Sequence, residues 1–80
     1  MTDQEILDTC SRILRDLMSD DSIVLEMETI RGDVDDWDSF TYVNFIVTVE
    51  MEFGLSFAVA DVESFDDVGA IVRRIQELLP

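Results

Sequence analysis

An all-α chain of four helices, three long and one short, folded as a single domain over residues 1–80, is what this sequence predicts. Three observations carry that expectation. Apolar residues recur at three- and four-residue intervals over residues 6–17, 43–53 and 68–79. Residues that cap helices stand just ahead of each of those segments. A chain of 80 residues is too short for a second core, so the stripes can bury themselves only against one another.

Thr2-Asp3-Gln4-Glu5 has the Ser/Thr-x-x-Glu spacing of a capping box, and Ile6, Cys10, Ile13, Leu14 and Leu17 follow along one stripe. Helix one is therefore expected from about Asp3 to Met18. Its other face carries Glu5, Asp8, Arg12, Arg15 and Asp16 and reads as solvated, with Asp8 and Arg12 as a favourable i,i+4 pair. From Ser19 to Asp38 helical periodicity is lost and Asp, Ser and Gly32 accumulate. A connection of about twenty residues is uncommon inside a compact domain and points to a functional loop. Within it Ile23, Leu25, Met27 and Ile30 are expected to face inward, with a short turn or strand near Ile23 to Met27.

Asp38 is a good N-cap, and Val43, Phe45, Ile46, Val49 and Phe53 predict a helix from Ser39 to Phe53, stopped by Gly54. The β-branched Val43, Ile46, Val47, Thr48 and Val49 make a strand a competitor, but so long a run with no turn signal decides for a helix. A two-turn helix fits at about Ala58 to Glu63. Ser64-Phe65-Asp66-Asp67 offers a further cap, and Val68, Ile71, Val72, Ile75, Leu78 and Leu79 form the cleanest amphipathic stripe. Arg73 and Arg74 are placed to complement the dipole of that last helix, and Pro80 to end it.

Five Arg, no Lys and 19 acids give a net charge of −14, which excludes nucleic acid and anionic membranes as default partners and favours basic ones. A 48% hydrophobic composition excludes a disordered acidic tail. The single cysteine, Cys10, allows no internal disulfide, and with no His there is no zinc set. Cys10 lies on an apolar stripe and reads as a small buried thiol. The acidic start fits neither a signal nor a transit peptide, and no apolar run approaches the ~18 residues of a membrane span, so a cytoplasmic monomer is expected.

Without His or Lys, and with one Tyr and one buried Cys, the usual nucleophile-and-base pairs cannot be assembled, which argues against an enzyme. Asp33, Asp35, Asp36 and Asp38 suggest a calcium loop. Counted from Asp33, however, position five is Trp37 and position twelve is Asn44, where an EF-hand needs oxygen ligands and a glutamate. No metal is expected. Two readings from other classes stay open: an acidic docking module that binds a basic protein surface by charge alone, and a divalent-ion sensor.

The sharpest local feature is Asp36-Trp37-Asp38-Ser39-Phe40, which puts a serine in the first turn of a helix directly after the long loop. A helix N-terminus favours a phosphate there, carried on the Ser39 hydroxyl. The plainer reading is that Ser39 assists Asp38 in capping. Trp37 reads as an anchor that packs the loop on the bundle. Phe40, Val47 and Met51, rimmed by Glu50 and Glu52, form an apolar patch on the exposed side of helix two and read as a docking surface; Phe65 is added to the partner-binding set. Arg31, Asp35 and Asp36 are further candidates for tuning partner choice.

The region from Asp38 to Val72 resembles the acyl carrier protein family. Asp38-Ser39-Phe40 is similar to its Asp-Ser-Leu attachment motif, and Val43 to Gly54 resembles its apolar-acidic second helix ending in a Glu-Glu-Phe-Gly type of sequence. Leu55-Ser56-Phe57, Asp61 to Glu63 and Phe65-Asp66-Asp67-Val68 are similar to its third helix and the approach to its fourth. The likeness is strong from Trp37 to Leu79 and weak before it.

It implies an acyl-carrier-like four-helix bundle in which Ser39, with Asp38 as motif residue and N-cap, carries 4′-phosphopantetheine. The arm would come from coenzyme A through a phosphopantetheinyl transferase that supplies Mg²⁺. Acyl- or aminoacyl-loading and transfer enzymes with basic docking surfaces would be the other partners. The resemblance also implies an interior, here Phe45, Ile46, Val49, Phe53, Val68 and Ile71, that can open to shelter an acyl chain. Phe40 in place of Leu, and Thr41 and Asn44 in place of acids, point away from a housekeeping fatty-acid role. Trp37 resembles stand-alone carriers of polyketide, peptide or hydroxyacyl tailoring routes.

Overall fold

The computed structural model describes residues 1–79, and its first helix, α1 (Asp3–Met18), starts on the capping box. Glu5 N–H donates to Thr2 Oγ1 at 3.2 Å, and Thr2 N–H donates to Glu5 Oε1 at 2.9 Å. After the long loop come α2 (Ser39–Phe53), α3 (Val59–Ser64) and α4 (Val68–Leu78), with no strand among the described residues. Asp38 and Asp67 cap α2 and α4, and Gly54 ends α2 at φ 67°, a left-handed conformation that glycine adopts without strain. Helix α3 begins one residue later than expected because Asp61 turns back to accept from Ala58 N–H at 3.0 Å. The expected stop at Pro80 lies outside the described residues.

Ile6, Cys10, Ile13 and Leu14 of α1 meet Phe45, Ile46 and Val49 of α2 and Val68, Ile71, Val72 and Ile75 of α4 in one core. Two stripe positions fall outside it. Val43 is 54% exposed because, at about 100° per residue, it sits roughly 110° round α2 from the middle of the buried face. Leu17, in the last turn of α1, borders an open groove beside Met51 and is also exposed. Phe53 is half-buried at the core margin.

The long loop is held by side chains and helix ends rather than by a strand of its own. Leu25 N–H donates to the buried Ser11 Oγ at 3.1 Å, and Arg15 Nη1 donates to the Ile23 carbonyl at 2.9 Å. The first N–H groups of α4 reach back to it, Val68 to the Thr29 carbonyl at 2.9 Å and Gly69 to the Met27 carbonyl at 2.7 Å. With those groups satisfied, no strand forms near Ile23 to Met27. The loop's one helical turn is a 3-10 turn at Arg31–Asp33, where Asp33 Oδ2 accepts from Ile30 N–H at 3.0 Å. Ile23 and Leu25 are buried and Met27 half-buried, but Ile30 is exposed at the start of that turn.

Gly69 is fixed by this strap. A Cβ at that position would lie 2.8 Å from the Met27 carbonyl oxygen, closer than carbon and oxygen tolerate. Gly69→Ala is therefore expected to destabilise the fold by about 1–3 kcal/mol despite alanine's better helix propensity. Urea denaturation monitored by circular dichroism reads it, and an unchanged or higher midpoint would show that the strap is loose.

Several charged residues act between elements. Arg12 bonds Glu52 of α2 and lies 3.7 Å from Asp16, while Asp8 accepts from Gln4 instead of pairing with Arg12. With Arg15 on the loop, the polar face of α1 is thus not simply solvated. Arg73 and Arg74 do not serve the end of α4: Arg73 lies 3.7 Å from Asp67, and Arg74 bridges Asp61 of α3 at 3.2 Å and Glu77 at 2.8 Å. These exposed and half-buried pairs are few against a net charge of −14. Self-repulsion should dominate, so added salt or Mg²⁺ is expected to raise the melting temperature. A melting temperature that stays flat or falls between about 10 and 300 mM salt contradicts this, since screening is nearly complete over that range. Among the described residues no helix is long and apolar enough to cross a membrane.

Candidate functional site

The chain enters α2 through a tight corner. Asp36 takes φ 65°, a left-handed conformation that Asp tolerates better than most residues, and Asp38 N–H donates to the Asp36 carbonyl at 2.9 Å. Between them Trp37 turns inward and is only 5% exposed. Its ring lies edge-on to Phe45 at 5.3 Å and tilted against Tyr42 at 6.2 Å. The loop end is thereby pinned to the buried side of α2. The next three residues, Asp38, Ser39 and Phe40, are all exposed.

Asp38 does the capping. Its Oδ1 accepts from Thr41 N–H at 2.9 Å and its carbonyl from Tyr42 N–H at 2.8 Å. The Thr41 N–H holds the Asp38 carboxyl below the usual carboxylate range, so the cap stays ionised and weakens only as pH falls through that lowered value. Ser39 Oγ makes no hydrogen bond among the described residues. The plainer reading, in which Ser39 shares the capping, is thus not what the geometry shows. A shallow, widely open recess of about 470 Å³ lies beside Ser39, bordered also by Arg31, Trp37, Asp36 and Asp38.

The proposed docking residues divide into two groups. Phe40, 76% exposed, Met51, 78% exposed, and Val47 lie in one row on the side of α2 opposite the core. Glu50 and Phe65 are placed differently. Glu50 is half-buried and its Oε2 accepts from Phe57 N–H at 2.7 Å, bracing the connection from α2 to α3. Phe65 is half-buried and edge-on to Phe57 at 5.2 Å. Glu50 still borders the open groove beside Val47 and Met51, whereas Phe65 packs within the frame.

Of the three candidates for tuning partner choice, Arg31, Asp35 and Asp36, it is Arg31 that stands against an aromatic ring. Its guanidinium lies over the Tyr42 ring, 4.6 Å from the centroid, and the Tyr42 hydroxyl donates to the Val62 carbonyl of α3 at 3.1 Å. Burial raises the Tyr42 pKa, with the Arg31 charge opposing that rise. A periodicity search could not find Arg31 because it stands in the aperiodic loop and its partner is eleven positions on. Cys10 is fully buried and its thiol is pushed up to about 12 by burial, so it is inert as a nucleophile. Among the described residues no three Cys, Asp or Glu side chains gather as a metal set.

No family model matches the chain, and no curated protein sequence matches it. Among solved structures it is similar to the solution NMR structure of holo acyl carrier protein from Geobacter metallireducens. The TM-score is 0.83 and the identity 35%, over 90% of this chain and 83% of that one. The shared fold, and identity of that level over most of both chains, place this protein in the acyl carrier protein family, as a carrier rather than a catalyst.

Proposed function

We propose that this chain acts as one carrier domain over residues 1–80 and that Ser39 is where 4′-phosphopantetheine is attached. The observation that carries the reading is the exposed Ser39 hydroxyl, free of hydrogen bonds among the described residues, in the first turn of a helix whose cap is made by its neighbour. The related solved structure is described as a holo acyl carrier protein, which supports the same reading. The site fits the group: a phosphate on Ser39 Oγ would sit at the positive end of α2, and the recess leaves room for the start of an arm.

Attachment needs little from the chain itself. The Ser39 Oγ–phosphorus bond forms as the bond from that phosphorus to the adenosine 3′,5′-bisphosphate part of coenzyme A breaks. A phosphopantetheinyl transferase supplies Mg²⁺ and takes the hydroxyl proton. This protein presents the serine and holds the helix start in place through Asp38 and Trp37. Once bound, the arm supplies a thiol that carries acyl or aminoacyl groups as thioesters. The row Phe40, Val47 and Met51 with surrounding acids suits loading and transfer enzymes that have an apolar, basic-rimmed face.

Incubation with coenzyme A, Mg²⁺ and a broad-specificity transferase, followed by fragment mass spectrometry, tests this. The added mass is expected once, on the peptide that contains Ser39. Addition elsewhere would refute the site. No addition at all would favour charge-only docking, which predicts salt-sensitive binding to basic proteins that is indifferent to Ser39.

A further inference from the structure

Four of the five arginines already have oxygen partners. Arg12, Arg73 and Arg74 are paired with carboxylates, and Arg15 donates to the Ile23 carbonyl. Arg31 has neither kind of partner among the described residues, in a chain with 19 acids. It is nevertheless held: the 3-10 turn Arg31–Asp33 fixes its backbone, and the Tyr42 ring lies under its guanidinium. A guanidinium kept clear of carboxylates and already oriented has lost part of its side-chain entropy before any ligand arrives.

Its position gives that charge a use. Arg31 and Ser39 border the same shallow, open recess, where Arg31 is the one cationic residue and Asp36 and Asp38 are the acids. A phosphodiester on Ser39 would bring another negative charge among those carboxylates. Without a counter-charge the modification would work against the fold around it. The planar fork of an arginine can give two charge-assisted hydrogen bonds to the two unesterified phosphate oxygens. Trp37, also on the recess wall, carries a buried indole N–H with no acceptor among the described residues.

We propose that Arg31 is the positioning residue that receives the phosphodiester on Ser39, so that the start of the arm is seated in the recess between the 3-10 turn and α2. This rests on attachment at Ser39 as proposed above. The seat would limit the directions in which the arm leaves the bundle, while its thiol end stays free to move.

Phosphorus-31 NMR of the loaded protein tests it, using wild type, Arg31→Gln, Arg31→Lys and, as a charge-matched control on α4, Arg73→Gln. Melting of each unloaded protein first confirms folding. Arg31→Gln is expected to move the phosphodiester resonance toward its position in the urea-unfolded loaded protein, Arg31→Lys part of the way, and Arg73→Gln not at all. Loading is also expected to lower the melting temperature of Arg31→Gln by about 2–4 °C more than that of wild type. If Arg31→Gln fails to fold or to load, Arg31→Lys against wild type carries the comparison. Identical resonances in wild type and both Arg31 variants would overturn the seat while leaving attachment at Ser39 standing. An Arg73→Gln shift as large as that of Arg31→Gln would overturn it too, as a field effect of net charge. A wild type that accepts no phosphopantetheine would remove the attachment reading and this inference with it.

Discussion

Ser39→Ala is expected to abolish phosphopantetheine addition completely while leaving the fold and its melting temperature within experimental scatter of wild type. The separation is sharp because the hydroxyl has no structural duty. Ser39 Oγ bonds nothing among the described residues, and the N-terminal N–H of α2 that most needs an acceptor, that of Thr41, is served by Asp38. Removing an exposed hydroxyl without a partner normally changes stability by about 0.5 kcal/mol or less. Asp38→Ala makes the useful contrast. It keeps the nucleophile but loses the cap, so addition is expected to slow rather than stop, and α2 to fray at its start. Intact mass against time reads both. Persistent single addition to Ser39→Ala would move the site to another hydroxyl and remove the main support for the carrier arm at this position.

What could be read from the sequence was local. The Thr2–Glu5 box, the Asp38 and Asp67 caps and the Gly54 stop each involve residues within three or four positions, and each is in place. The misreadings share one cause, contacts between residues far apart in the chain. Helix α2 is apolar almost all round, so its periodicity could not say that Phe45, Ile46 and Val49 face inward while Val43 faces out. The expected strand near Ile23 to Met27 does not form because the loop's hydrogen bonds go to Ser11, Arg15, Val68 and Gly69, none of which its own sequence reveals. Glu50 keeps its place on the rim of the exposed patch, and its carboxylate also accepts from the Phe57 N–H. The place of Ser39 in the first turn of α2 was legible because a serine after Asp at a helix start is a local pattern. Arg31, whose meaning comes from Tyr42 and the recess, was not.

Trp37→Ala is expected to be the most destabilising single change near the site. The indole is buried between the loop end and α2, packing on Phe45 and Tyr42, and truncating a buried aromatic of this kind typically costs about 3–5 kcal/mol. For a small domain with total stability of about 5–15 kcal/mol that is a large fraction, corresponding to a fall in melting temperature of about 12 °C or more. Trp37→Phe separates packing from hydrogen bonding. It keeps a six-membered ring in the contact but loses the rest of the indole volume, and the N–H it removes has no acceptor among the described residues, so the cost expected, about 1 kcal/mol, is one of packing alone. Function should follow the same order. With the anchor gone, only the Asp38 N–H to Asp36 carbonyl bond is left to hold the left-handed corner, and the first turn of α2 that carries Ser39 loses its fixed relation to the loop, so loading is expected to slow far more in Trp37→Ala than in Trp37→Phe. Denaturant melts followed by circular dichroism, beside loading rates from intact mass, measure both effects. A Trp37→Ala protein that melts within about 2 °C of wild type, well under the shift for 1 kcal/mol, would mean that the straps to Ser11 and α4 hold the loop unaided. In that case the corner before Ser39 is set by those straps together with the Asp38 N–H to Asp36 carbonyl bond, and the indole only fills the space between the loop end and α2.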